Sequence, residues 1–353
     1  MTPRRPLRLA FVGVGWIGRH RMQALLGSGL AKALAVADAA PEARAAALEL
    51  TPGAASAESL EQVLDLGLDL DGVVIATPSA LHAAQAELAL RRGLHVFCQK
   101  PLGRTARETR AVVQAARAAD RRLGVDFSYR FTRALQAVRD VLPELGRVYA
   151  AELTFHNAYG PDKPWFYDPS LSGGGCVIDL GSHLADAALW LLGFPKVLAV
   201  HSRLFSGGEL LAPDPGRVED HAVVELELER DCVVQIACSW NLSAGQDAVI
   251  GARVYGTAGG VAMSNVAGSF YDFVTERFDR TRRRTLVAPP DEWGGRAIVD
   301  WASGVQERPH FDPAAEELER VAEVVDRIYG RSERDRERPR AEATVAVACG
   351  SAE

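Results

Sequence analysis

The chain has 353 residues, 48% hydrophobic and 24% charged, with a formal net charge of −6 at pH 7. That length supports two domains with proper cores. The mild acidity argues against nucleic acid as a partner, and no stretch approaches the roughly 20 apolar residues of a membrane span. Five cysteines show no CxxC pair and no metal spacing, so no metal site is expected, and reduced thiols point to the cytoplasm.

In chain order, residues 7–12 form a short apolar run that reads as a strand, followed at once by Gly13-Val14-Gly15-Trp16-Ile17-Gly18 and a helix-like face at Met22, Leu25 and Leu26. Strand, GxGxxG and helix in that order form the dinucleotide-binding fingerprint in its proper context. Gly13 permits the tight turn, Gly15 lets the backbone approach a pyrophosphate, and Gly18 lets helix and strand pack closely. The pyrophosphate then meets free N–H groups at the positive end of the helix. Asp38 closes the next strand, 34–37, where an acidic residue meets the ribose 2′-hydroxyl. A carboxylate there repels a 2′-phosphate, so NAD is expected over NADP.

Further strands at 72–76, 94–98 and 124–127 alternate with helices at 80–92 and 105–122. The second helix carries Thr105 as N-cap and Glu108 as the partner of a capping box. Repeated βα units imply a doubly wound parallel sheet with ligand at the carboxyl ends of its strands. Trp16 and Ile17 in the glycine loop, with Thr77, Pro78, His82, Gln99 and Lys100 beyond later strands, complete the candidate cofactor contacts. The ammonium of Lys100 could stabilise a developing alkoxide.

Downstream, Gly173-Gly174-Gly175 opens an apolar segment that reads as a helix, with Asp179 and His183 four residues apart on one face. A carboxylate beside an imidazole can fix its tautomer and hold it as a proton acceptor near neutral pH.

The ordered set of GxGxxG, Asp38, Lys100-Pro101, the glycine triplet and Asp179-x-x-x-His183 resembles the Gfo/Idh/MocA oxidoreductases, clearly over about 7–193 and more weakly to about 330. The resemblance implies an N-terminal Rossmann domain and a C-terminal α/β domain with a large, mostly antiparallel open sheet that often forms a dimer or tetramer interface. It also implies that Lys100, Asp179 and His183 line one pocket beside the nicotinamide, with a cis peptide at Lys100-Pro101. The family usually carries Glu-Lys-Pro. Here Gln99 keeps the shape and loses a charge beside Lys100.

The expected domains are 1–127 for the cofactor and 128–353 for substrate and assembly. Tyr129-Arg130-Phe131 resembles the family segment leading out of the first domain, and a helix is expected at 131–142. A strand at 148–155 leads into a loop, 156–172, with Asn157, Trp165 and other aromatic and polar residues that would suit a sugar. Tyr129, Asn157 and Trp165 join Lys100, Asp179 and His183 as candidate substrate contacts. Strands follow at 197–203, 222–228, 233–240, 249–255 and 261–263, then a helix at 316–329 and a charged tail at 331–340. Trp240 fits either the substrate site or the sheet.

The expected activity is NAD-dependent oxidation of a hydroxyl on a sugar, sugar derivative or cyclic polyol. His183 is the base, Lys100 the oxyanion stabiliser, and Asp179 orients His183 or binds a neighbouring hydroxyl. Two alternatives share the motif set: a glycosidase that recycles bound NAD, and a non-enzymatic NAD-binding sensor.

Overall fold

The computed structural model describes residues 5–212 and 216–331. The charged stretch beyond Arg331 and Cys349 lie outside them.

The first half builds β1 (Leu7–Val12), α1 (Trp16–Gly27), β2 (Ala31–Ala37), α2 (Pro41–Leu50), β3 (Ala55–Ala57), α3 (Leu60–Asp65), β4 (Gly72–Ile75), α4 (Ser79–Arg91), β5 (His95–Cys98), α5 (Ala106–Ala119) and β6 (Leu123–Val125). The six strands are parallel, in the order β3-β2-β1-β4-β5-β6. Every residue of β4 and β5 is buried, as expected where helices cover both faces of a parallel sheet. The order reverses between β1 and β4, which opens a crevice at the carboxyl ends of these strands. The hydroxyl of Thr105 caps α5 by accepting from Glu108 N at 3.2 Å, but the Glu108 carboxylate returns to Arg104 N, at 2.7 Å.

The second half builds α6 (Arg133–Val141), β7 (Val148–Asn157), the short α7 (Pro169–Ser172), a π-turn (Val177–Gly181), α8 (Ser182–Leu191), β8 (Val197–Ser206), β9 (Glu209–Leu210), β10 (His221–Leu228), β11 (Cys232–Ser239), β12 (Ala248–Gly256), β13 (Gly259–Asn265), β14 (Phe273–Asp279), β15 (Arg282–Val287), α9 (Arg296–Glu307) and α10 (Glu317–Ile328). Its strands form a nine-stranded sheet, β15-β14-β13-β12-β7-β11-β10-β8-β9. Only the β7–β11 pair is parallel. Helices α6, α8 and α10 pack on this sheet. In β10 the residues Ala222, Val224, Leu226 and Leu228 are buried, while Val223 and Glu227 between them are exposed. That alternation marks a sheet with one covered face.

Several elements carry too little pattern to be read from the sequence. Helix α2 is alanine-rich and buries only Ala47. The Arg282-Arg283-Arg284 cluster lies on β15, an edge strand whose charges discourage edge pairing. Helix α9, far along the chain, returns to the first sheet, where Trp301 packs against Phe97 with ring centroids 5.7 Å apart.

Candidate active site

A cleft of about 1400 Å³ runs from the glycine loop and the carboxyl ends of the parallel strands to the π-turn and α8. At its cofactor end, Gly13 has φ +80°, and a Cβ there would lie 2.4 Å from the carbonyl carbon of Ala76. A Cβ on Gly18 would lie 2.0 Å from the Gly13 oxygen. These two glycines are required by the protein's own packing. Gly15 differs, because a Cβ there would meet no protein atom within 4 Å. Gly15 faces the cleft and caps α1 without a side-chain bond, leaving first-turn N–H groups open to an anion. Asp38 lies beside this loop, its Oδ2 accepting from Val14 N at 2.8 Å and its Oδ1 from Ala40 N at 3.0 Å. Trp16, Ile17, Thr77, Pro78, Gln99 and Lys100 also line the cleft. The residues present therefore fit a dinucleotide.

His82 reaches the cleft wall, but both its ring nitrogens lie against backbone carbonyls: Nδ1 is 2.7 Å from Pro101 O and Nε2 2.6 Å from Thr77 O. It ties the end of β4 to the turn after Lys100, and burial lowers its pKa. His82 thus lines the cleft while its ring braces the cleft wall. The Thr77 hydroxyl donates to Gln85 Oε1 at 2.7 Å. The Lys100-Pro101 peptide is cis.

At the other end, Lys100 Nζ donates to the Asp179 carboxylate Oδ1 and to the Asp179 carbonyl, both at 2.6 Å. Trp240 Nε1 donates to Asp179 Oδ2 at 3.1 Å. The structure thus decides the position of Trp240: buried at the end of β11 and bonded to the candidate site. The expected Asp179–His183 bond is not formed. Asp179 lies in the π-turn, and its oxygens face an ammonium and an indole N–H. The charge-assisted partner wins the carboxylate over a neutral imidazole. His183 begins α8 with its Nδ1 buried and unpartnered. Its ring meets Tyr129 and Phe127 edge-on at centroid distances of 5.0 and 6.1 Å. Burial, with the charges of Lys100 and Arg21, pushes its pKa well below the usual imidazole value. Burial thus favours the neutral imidazole, and the ring lines the cleft.

Tyr129 also lines the cleft, and burial raises its phenol pKa. Trp165 stacks on Phe166 at 3.8 Å, and both face the cleft. Phe166 and Tyr167 meet Trp240 edge-on. Asn157 is not among the described residues lining the cleft. It ends β7, its carbonyl accepts from Leu242 N at 2.9 Å, and its Oδ1 is buried and unpartnered. Its reading as a substrate contact is corrected accordingly: the strand runs two residues further than the pattern indicates and takes Asn157 with it.

Sequence reasoning missed Glu219. Its buried carboxylate accepts from Gly175 N at 3.0 Å, Val177 N at 2.8 Å and Tyr329 Oη at 2.7 Å. It thereby anchors the start of the turn that carries Asp179. Burial raises the Glu219 pKa and these bonds oppose the rise. No local pattern signals it, because its partners lie 44, 42 and 110 residues away. Glu219→Ala would strand three donors in the interior, so a loss of roughly 3–5 kcal/mol is expected. Urea unfolding checks this, and an unchanged midpoint would show that the anchor is dispensable.

Residues 7–127 match the model of an oxidoreductase family with an NAD-binding Rossmann fold, and 135–262 match the GFO/IDH/MocA C-terminal domain. Inositol 2-dehydrogenase of Rhizobium meliloti is 31% identical over 262 residues, covering 73% of this chain and 76% of its own. D-glucoside 3-dehydrogenase of Escherichia coli K12 is 29% identical over 272 residues, covering 73% and 77%. A levoglucosan dehydrogenase solved with NADH and L-sorbose shares the fold at a TM-score of 0.78 and 23% identity, over 94% of this chain and 98% of that one. A 3-ketoreductase from Actinomadura kijaniata solved with NADP and TDP-benzene does so at 0.78 and 21%, over 92% and 97%. Dinucleotide loop, sheet pair and the two matched family models agree: the chain belongs to the GFO/IDH/MocA family of oxidoreductases.

Proposed function

We propose that the chain is an NAD-dependent dehydrogenase oxidising a hydroxyl of a sugar, sugar derivative or cyclic polyol. The observation that carries this reading is the meeting of Lys100, Asp179 and His183 in one cleft with a dinucleotide loop at its other end. When bound, the nicotinamide supplies the hydride acceptor. Neutral His183 takes the hydroxyl proton, and Lys100 stabilises the oxyanion that develops. Asp179 holds the ammonium in place, and Trp240 fixes the second oxygen of Asp179. Trp165 offers a ring face for the C–H surface of a sugar, with Tyr129 lining the cleft beside His183. Names of relatives such as inositol 2-dehydrogenase and D-glucoside 3-dehydrogenase support this substrate class. The test is nicotinamide reduction by the purified chain across aldoses, glycosides, inositols and uronic acids. Reduction with one group fixes the class, and no reduction with any group, with NAD still bound, sinks the dehydrogenase reading.

NAD is preferred over NADP because the Asp38 carboxylate, beside the glycine loop, would accept from a ribose 2′-hydroxyl and repel a 2′-phosphate. Asp38→Ala is expected to reduce the NAD preference by roughly tenfold or more. Binding titrations with both dinucleotides check this, and an unchanged ratio would remove Asp38 as selector. We propose 1–127 as the cofactor unit and 128–353 as the substrate and assembly unit, with the cytoplasm as the site of action. No helix among the described residues is long and apolar enough to cross a membrane. The chain is read as a homodimer or homotetramer through the large sheet. On its less buried face, Val223, Ala237, Thr154, Gly251, Ser264 and Val274 line up across neighbouring strands. Such a row of small and apolar side chains suits face-to-face packing.

A further inference from the structure

Three elements bring Arg21 of α1, Gln99 after β5 and Asp126 after β6 into one cluster on the cleft wall beside Lys100. Arg21 Nε donates to Asp126 Oδ2 at 2.6 Å, and Gln99 Nε2 donates to the same oxygen. Arg21 also donates from Nη1 to the Gly294 carbonyl. Asp126 is 1% exposed. Its other oxygen, Oδ1, is buried with no hydrogen-bond partner. A carboxylate held by a buried guanidinium, with one oxygen loaded and the other unused, is an acceptor waiting for a donor.

The cluster also gives a reason for glutamine at 99. A glutamate there would set a second carboxylate against Asp126 Oδ2, where glutamine supplies an N–H. The acidic group of this wall is thus carried by residue 126, with Arg21 as its counter-ion.

We propose that Asp126 Oδ1 accepts the carboxamide N–H of the nicotinamide and so sets the facing of the ring toward His183 and Lys100. This rests on the dinucleotide reading above. The carboxamide is the N–H donor of the ring end. Among the neighbouring wall groups, the Lys100 ammonium and the Arg21 guanidinium are donors, and the Gln99 amide gives its N–H to Asp126 Oδ2. Asp126 Oδ1 is the acceptor on that wall which is buried and which no donor among the described residues takes.

The test compares NADH with reduced 3-acetylpyridine adenine dinucleotide, in which a methyl ketone replaces the carboxamide and removes the N–H. Calorimetric titration of the purified full chain should show NADH binding tighter by roughly tenfold or more. In Asp126→Asn the oxygen stays with Arg21 and Gln99, and an N–H₂ takes the place of Oδ1. The two dinucleotides should then bind within about twofold of each other. A merely structural role for Asp126 would weaken both equally and leave their ratio unchanged. That result, or a wild-type ratio within about twofold, overturns the proposal. If Asp126→Asn fails to fold, Arg21→Gln with Asp126→Asn removes both buried charges together and is read the same way. Failure of the wild type to bind either dinucleotide would overturn the cofactor reading itself, and this proposal with it.

Discussion

His183→Ala is expected to lower turnover by about 10²–10⁴-fold, the usual worth of a positioned acid–base group, while NAD affinity changes by no more than about twofold. The split follows from position. His183 lines the cleft at the start of α8, among Tyr129 and Phe127, and makes no hydrogen bond to the glycine loop. Its buried Nδ1 has no partner, so removing the ring breaks no polar contact there. Steady-state turnover alongside NAD titration checks both halves, and undiminished turnover would remove His183 as the base. The pH profile adds an independent reading. The folded-state pKa of His183 lies well below the usual 6.5, driven first by burial. The base form is therefore present through neutral pH and is lost only as pH falls through the depressed value. The acidic limb of turnover from this group should lie well below 6.5.

Lys100→Met is the second large effect. The methionine keeps the stem and removes two N–H bonds, to the Asp179 carboxylate and carbonyl. Loss of one donor to a developing oxyanion costs about 10²–10³-fold in turnover. The substitution also leaves Asp179 with Trp240 as its remaining partner, so folding stability should fall by about 1.5–3 kcal/mol. Turnover and urea unfolding measured together separate the two roles. A variant with lowered stability and full turnover would make Lys100 structural. Equal stability with collapsed turnover would show that Asp179 does not need the ammonium to stay folded.

Both substitutions act on a site whose members were legible in the sequence but whose wiring was not. Asp179 and His183 stand four apart, the spacing of neighbours on one helix face. The carboxylate nevertheless pairs with Lys100, 79 residues earlier, because an ammonium outbids a neutral ring. The glycine loop was readable for the opposite reason. Its requirements are backbone requirements, met within a few residues by Gly13 and Gly18 against β1, α1 and the end of β4. Asp126 carries no such signal, because the pattern places it inside a strand at 124–127, whereas the strand ends at Val125 and leaves Asp126 at its carboxyl end.

The sequence by itself determined the parallel βα half, the dinucleotide loop, the acidic end of β2 and the three residues that meet in the cleft. The first three rest on period, capping and turn chemistry, which act over a few residues, while the meeting of the three cleft residues is implied by the family resemblance alone. Only the tertiary structure decided that Trp240 and Lys100 hold Asp179, that Glu219 and Tyr329 anchor the π-turn, and that α9 returns to the first sheet. Those contacts join residues 42 to 204 positions apart. Local chemistry does not encode which distant side chain will arrive, because that is settled by packing two sheets and their helices into one cleft.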